Sequence, residues 1–187
     1  MKTRTVLSAV SRIALAAAAA AAAAALPAVA ATGDDLVQPK TLIVDKSFSK
    51  QQAEQQIRAA RLYDTFWSTG DEAQAREALA ADFTDRTLPA GRPQGIAGPL
   101  AASQGFHRAV PDVHADVEQM IVAGDRVVTH LHFTGHFTGI FNGVQGKGQV
   151  VDFIATDIYR IRDGKITDNW HLEDNLTFLQ QLGLVAR

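Results

Sequence analysis

The residues best suited to chemistry in this sequence are a few aspartates and histidines set among apolar stretches. Asp174 lies four residues after Trp170, at the end of a β-rich run. Ile166, Asp168, Trp170, Leu172 and Asp174 share strand parity, so on a strand that runs so far they present one face. With Ile166 and Trp170 turned to an apolar pocket, Asp174 joins that wall. Desolvation there disfavours its charged form, raises its pKa and makes it a better base. Asp174 also stands directly before a short helical stretch, Asn175 to Leu182, where a carboxylate can instead cap the helix. Asp168 falls nearer the hairpin turn and is expected to face solvent.

The histidines offer a second set of candidates. His107 precedes Pro111 on a helical stretch and could polarise a carbonyl or orient Asp174. Beside Arg108 it could equally be a solvated surface group. His130, His132 and His136 occupy even positions of one strand and so share a face, and histidines at i and i+2 can share a metal. No helical metal motif accompanies them, and no metal is expected. Val127, Leu131 and Phe133 hold the opposite parity as a buried face. The histidine face is then either the pocket, with His132 touching substrate, or an outer wall packed in a dimer. Tyr63, Phe66, Trp67, Phe106 and Trp170 are the aromatic candidates for the pocket lining, with ordinary core packing as the alternative for each.

Other catalytic classes lack their residues. The 187 residues contain no cysteine, no Gly-x-Ser-x-Gly elbow and no phosphate-binding glycine loop before a helix. Gly135 and Gly139 lie in and after a strand, the wrong context for a dinucleotide.

The elements that would hold these residues follow from periodicity. Ser49 with Gln52 is a capping-box signature, and it predicts a helix from Lys50 to about Ser68. Ile57, Ala60, Tyr63, Phe66 and Trp67 share its apolar face. Gly70 ends that helix, and Asp71 can cap a second one through Ala80. Thr84 to Gly98 reads as loop. Pro99 opens a third helix that ends near Val110. Four β-rich runs follow: His114 to Ala123, Arg126 to Phe137, Gln149 to Ile161, and Lys165 to Leu172. Gly124-Asp125 and Asp163-Gly164 are short hairpin signals between them. Three helices and then a four-stranded meander is an α+β order, and so long a sheet with helices on one face curls around a pocket.

The N-terminus carries a different pattern. Lys2, Arg4 and Arg12 precede an alanine-rich apolar stretch from Ile13 to Leu26, then Pro27 and Ala28-Val29-Ala30. This is the layout of an export signal cleaved after Ala30, giving a periplasmic or secreted protein. The stretch falls short of the ~20 strongly apolar residues that a membrane span needs. Cleavage would remove three basic and no acidic residues, leaving 157 residues with a formal charge of −5. A mildly acidic domain without a basic cluster does not suit nucleic acid. Ala31 to Phe48 reads as a linker, with Leu42-Ile43-Val44 as a possible strand.

From about Ile57 to Leu182 the sequence resembles the SnoaL-like ester and polyketide cyclases of the nuclear-transport-factor-2-like superfamily. The resemblance rests on Phe66-Trp67-Ser68-Thr69-Gly70-Asp71, Gly91-Arg92-Pro93-Gln94-Gly95, Val110-Pro111-Asp112-Val113 and Gly124-Asp125-Arg126-Val127-Val128. Asp163-Gly164-Lys165-Ile166, Trp170 with Asp174, and Gln181-Leu182-Gly183 complete it, in order and spacing. It implies a cone-shaped α+β barrel in which a curved antiparallel sheet and three helices enclose an apolar pocket, usually in a homodimer. It also implies cofactor-free acid/base chemistry on a small apolar carbonyl compound, with the aspartate role carried to Asp174. Two departures stand out. Gly135-His136-Phe137-Thr138-Gly139 displaces the family's strand histidine by one residue, and Gln145-Gly146-Lys147-Gly148 replaces its Pro-Thr-Gly turn. A non-catalytic periplasmic binder using the same pocket is the competing expectation, since fold alone does not decide function.

Overall fold

The computed structural model describes residues 35–186. The expected export signal lies outside them. The capping box forms as the sequence predicts: Ser49 caps α1 (Lys50–Thr69), its hydroxyl accepting from Gln52, and Gly70 closes the helix in a left-handed conformation. Asp71 caps α2 (Glu72–Ala78), and α3 spans Ala97–Ala109 with Pro99 in its first turn. A fourth helix, α4 (Asn175–Gln181), closes the chain.

The strands are β1 (Thr41–Val44), β2 (Leu79–Asp85), β3 (His114–Ala123), β4 (Arg126–Phe137), β5 (Ile140–Phe141), β6 (Val144–Gln145), β7 (Gln149–Arg162) and β8 (Lys165–Glu173). Six of them form one sheet in the order β1-β3-β4-β7-β8-β2, and β5 and β6 form a small hairpin of their own. The meander from β3 to β8 is antiparallel throughout. The cone is open rather than closed, because β1 and β2 are edges, each paired parallel with a single neighbour.

Two segments differ from the sequence reading. Part of the expected linker belongs to the fold. Besides the strand β1, Leu36 is buried and the Arg61 guanidinium donates to the carbonyls of Leu36 and Val37. The second helix, expected through Ala80, ends at Ala78. The end of that expected helix and the start of the expected loop at Thr84 both belong to strand β2, whose register against β8 is interrupted between Leu79 and Thr84. Leu79-Ala-Ala-Asp-Phe-Thr-Asp85 has little β-branched content and no clean alternation, so it carries no strand signal.

The core lies between the inner face of the sheet and helices α1 and α3. Ala60, Tyr63 and Phe66 of α1 meet Val117, Met120, Val127, Leu131 and Tyr159 there. Bulges set which residues look inward. One in β3 lies between Val117 and Gln119, and one in β8 adds Thr167 between the pairs Ile161–Ile166 and Arg160–Asp168. An extra residue reverses the parity of everything after it.

Candidate active site

A cavity of about 400 Å³ opens between the sheet and the helices, within the size range of small-molecule sites. Its two ends are chemically unlike. At one end Phe106, Phe133, Phe141, Phe153 and Phe178 form an aromatic cage. Phe133 stacks on Phe153 at 5.1 Å, and Phe178 stands edge-on to Phe106 at 5.6 Å. At the other end Asp85, Asp157, Asn169, His171 and Glu173 supply the polar atoms, with Arg92 and the rings of Tyr63 and Trp67 also on the wall.

Strand alternation delivers this polar cluster. Val151, Phe153, Ala155, Asp157, Tyr159 and Ile161 are the inward residues of β7, so Asp157 stands in an otherwise mostly apolar row. On β8 the Thr167 bulge turns Asn169, His171 and Glu173 inward, and Asp157 and His171 are direct cross-strand partners. Asp85, the last residue of β2, pairs with Asn169.

Asp157 is 6% exposed. Asn169 Nδ2 donates to its Oδ1 at 2.6 Å, and its Oδ2 takes no hydrogen bond among the described residues. Burial pushes its pKa up, the Asn169 bond and the charge of His171 pull it back, and the result is about 7. His171 bridges two carboxylates. Its Nε2 lies 3.0 Å from Asp85 Oδ2 and its Nδ1 2.7 Å from Glu173 Oε1. Burial opposes its charge, but the two carboxylates outweigh burial and raise its pKa to about 9. Both ring nitrogens therefore donate, and His171 is an imidazolium at neutral pH. Glu173 stays below the ordinary carboxylate range, because the His171 bond overcomes its own desolvation. The arrangement sets a carboxyl poised near neutrality beside a fixed positive charge. That combination suits proton transfer to and from carbon next to a carbonyl.

The residues expected from sequence divide into two groups. Tyr63, Trp67 and Phe106 line the cavity. Asp174, Trp170, His132 and His107 do not, and Phe66 is fully buried core. Asp174 is the N-cap of α4: it accepts from Thr177 N at 3.0 Å and Thr177 Oγ1 at 2.7 Å. It is exposed, and those bonds hold its pKa below the ordinary value rather than above it. Trp170 lies on the outer face, under the guanidinium groups of Arg126 and Arg160 at 5.3 and 5.4 Å. The reason is the Thr167 bulge, which separates the parity of Trp170 from that of Ile166. Asp168, expected in solvent, is 2% exposed and paired with Arg86 and Arg160.

His132 belongs to the outer face too, its Nε2 2.7 Å from Asp152 Oδ1. His130 pairs with Thr156 and His136 with Asp112 on the same face. The inward residues of β4 are Val127, Thr129, Leu131 and Phe133. His107 packs on the turn between α1 and α2, where a Cβ on Gly70 would come within 3.2 Å of its ring. Burial lowers its pKa, with the Trp67 carbonyl as a partial counterweight, and its Nε2 is buried without a partner among the described residues.

The comparisons agree with this architecture. The SnoaL-like polyketide cyclase description matches residues 57–182. A candidate polyketide cyclase from Bacillus cereus ATCC 10987 is 41% identical, with a TM-score of 0.75 over 81% of this chain and 96% of that one. IdmH of Streptomyces antibioticus, also a candidate polyketide cyclase, is 30% identical over 70% of this chain and 99% of its own, with a TM-score of 0.60. A Catenulispora acidiphila DSM 44928 protein with a ketosteroid-isomerase-like fold, 21% identical with a TM-score of 0.53, shares the fold. It is matched over 68% of this chain and 94% of its own. No curated protein matches the chain. With the family pattern running from residue 57 to residue 182, the chain belongs to the SnoaL-like polyketide cyclases.

Proposed function

We propose that this protein is a cofactor-free acid/base enzyme of the cyclase type, and that Asp157, rather than Asp174, is its proton-transfer group. The observation that carries the reading is a buried carboxyl of pKa about 7 with one oxygen unbonded on the wall of a largely apolar cavity. A general base works best when its pKa lies near the operating pH. The substrate is a small apolar carbonyl compound whose hydrocarbon part fills the phenylalanine cage. Asp157 takes a proton from the carbon next to the carbonyl, and the resulting enolate carbon attacks a second carbonyl of the same molecule. Asp157 then returns the proton to the new alkoxide, closing the ring as an aldol. Asn169 fixes the carboxylate, and the imidazolium of His171 favours its charged form.

The protein is exported, on the strength of the basic, apolar and Ala28-x-Ala30 segments of its N-terminus. It forms a homodimer through the outer sheet face, where Ile154, Ile158 and Leu172 are 47%, 39% and 77% exposed. Export also favours a second reading, a periplasmic binder that carries or senses the same ligand class.

Deuterium incorporation at the α-carbons of 2-tetralone separates the two. The enzyme reading expects exchange above background, falling roughly 10²–10⁴-fold in Asp157→Asn. A binder takes up the ketone without accelerating exchange, and the variant then changes nothing.

A further inference from the structure

The cavity wall holds two cations, and they are in opposite states. His171 is saturated by Asp85 and Glu173. Arg92, half-buried on the same wall, takes no ion pair and no side-chain hydrogen bond among the described residues. A guanidinium presents five donors in a planar fork that matches a carboxylate in two-point geometry. In this cavity those donors are left over.

The loop that carries Arg92 is held in place. Gln94 clamps it to the end of β2: Asp85 N donates to Gln94 Oε1 at 2.7 Å, and Gln94 Nε2 donates to the Asp85 carbonyl at 2.9 Å. Arg92 N donates to the Pro89 carbonyl at 3.1 Å. The loop lies directly on the first turn of α3. A Cβ at Gly98 would fall 2.5 Å from the Pro93 carbonyl, and 3.4 and 3.5 Å from Cγ and Cδ of Arg92. Gly98 thus gives room for the loop and for the aliphatic stem of Arg92, a residue of the cavity wall. Its field also reaches the site, since it helps to hold Glu173 below the ordinary carboxylate range.

We infer that Arg92 is a specificity-determining residue, and that the compound bound here carries a carboxylate which the Arg92 guanidinium anchors while the apolar body enters the phenylalanine cage. This deepens the substrate class of the proposed function and rests on reading the cavity as a substrate site. The two charged anchors then have separate duties. His171 tunes Asp157 from within the wall, and Arg92 selects and orients what enters.

The test is binding, which does not depend on turnover. 2-Naphthoate and 2-naphthamide share shape and differ in charge. Isothermal titration at pH 7.5 should show the wild-type protein preferring the carboxylate by roughly tenfold, the worth of about one charge-assisted contact. Arg92→Gln should abolish the preference, and Arg92→Lys should retain part of it, with circular dichroism showing both variants folded. Asp157→Asn should keep the preference, so loss of exchange activity and loss of anion selectivity are read from different variants. Equal affinities for the pair, no measurable binding of the carboxylate, or an unchanged ratio in Arg92→Gln overturns the assignment.

Discussion

Asp157 and His171 face each other as direct partners across the β7–β8 ladder, on the same wall of the cavity. The positive ring beside Asp157 favours its charged form and offsets part of the cost of burial. His171→Gln removes that charge. The pKa of Asp157 should rise above about 7, moving the ascending, low-pH limb of the exchange rate to higher pH. The same change leaves the buried Asp85 and the half-buried Glu173 without their shared charged partner, so the variant should also be less stable, by at most the roughly 3–5 kcal/mol of a fully buried broken pair. Chemical denaturation and a pH–rate series read the two effects separately.

Asp174→Ala should behave as the loss of a helix cap. Its carboxylate meets Thr177 and solvent, not the cavity. A slightly lower melting temperature with unchanged exchange of 2-tetralone is the expected result. Its folded pKa is depressed, so its contribution is present above the ordinary carboxylate value and fades as pH falls through the folded one.

Why Asp174 looked stronger than Asp157 in the sequence has a physical answer. The run from Lys165 to Glu173 gives no sign that Thr167 is an extra residue, and without it parity groups Trp170 with Ile166. Asp85 is hidden for a related reason, because β2 lacks clean alternation and has Thr84 as its one β-branched residue. Asp157 did leave a signal: a lone carboxylate at an inward position of a run that alternates Val151, Phe153, Ala155, Tyr159 and Ile161. The capping box at Ser49 and the extent of β3 and β4 follow directly from spacing and period, whereas the spacing that groups Tyr63 with Trp67 fits core packing as well as the cavity wall. Which face of β4 looks inward was visible in Val127, Leu131 and Phe133, but the three histidines opposite them competed for the same role.

Stability should fall as pH rises. Asp64 is fully buried on α1, where Tyr159 Oη donates to its Oδ1 at 2.7 Å and its Oδ2 has no partner among the described residues. Burial raises its pKa well above the ordinary value, against the pull of that hydrogen bond. Asp157 and His171 are raised as well, to about 7 and about 9. Each binds its proton more tightly folded than unfolded. Each contribution is complete below the ordinary pKa and is lost as pH rises through the folded one. Asp64→Asn keeps the acceptor for Tyr159 and should flatten this loss, whereas Asp64→Leu removes the acceptor and should cost roughly 1–3 kcal/mol. Melting temperatures across pH 4 to 9 compare the three proteins.

The most direct measurement is the titration of Asp157 itself. Aspartate labelled with carbon-13 at the side-chain carboxyl, followed by NMR against pH, should show one resonance with a midpoint near 7 that is missing from Asp157→Asn. Its midpoint should move upward in His171→Gln, and it should be displaced when 2-tetralone is added. An Asp157 resonance that titrates near the ordinary 3.8, or that ignores the ketone, would contradict the assignment of this carboxyl as the proton-transfer group.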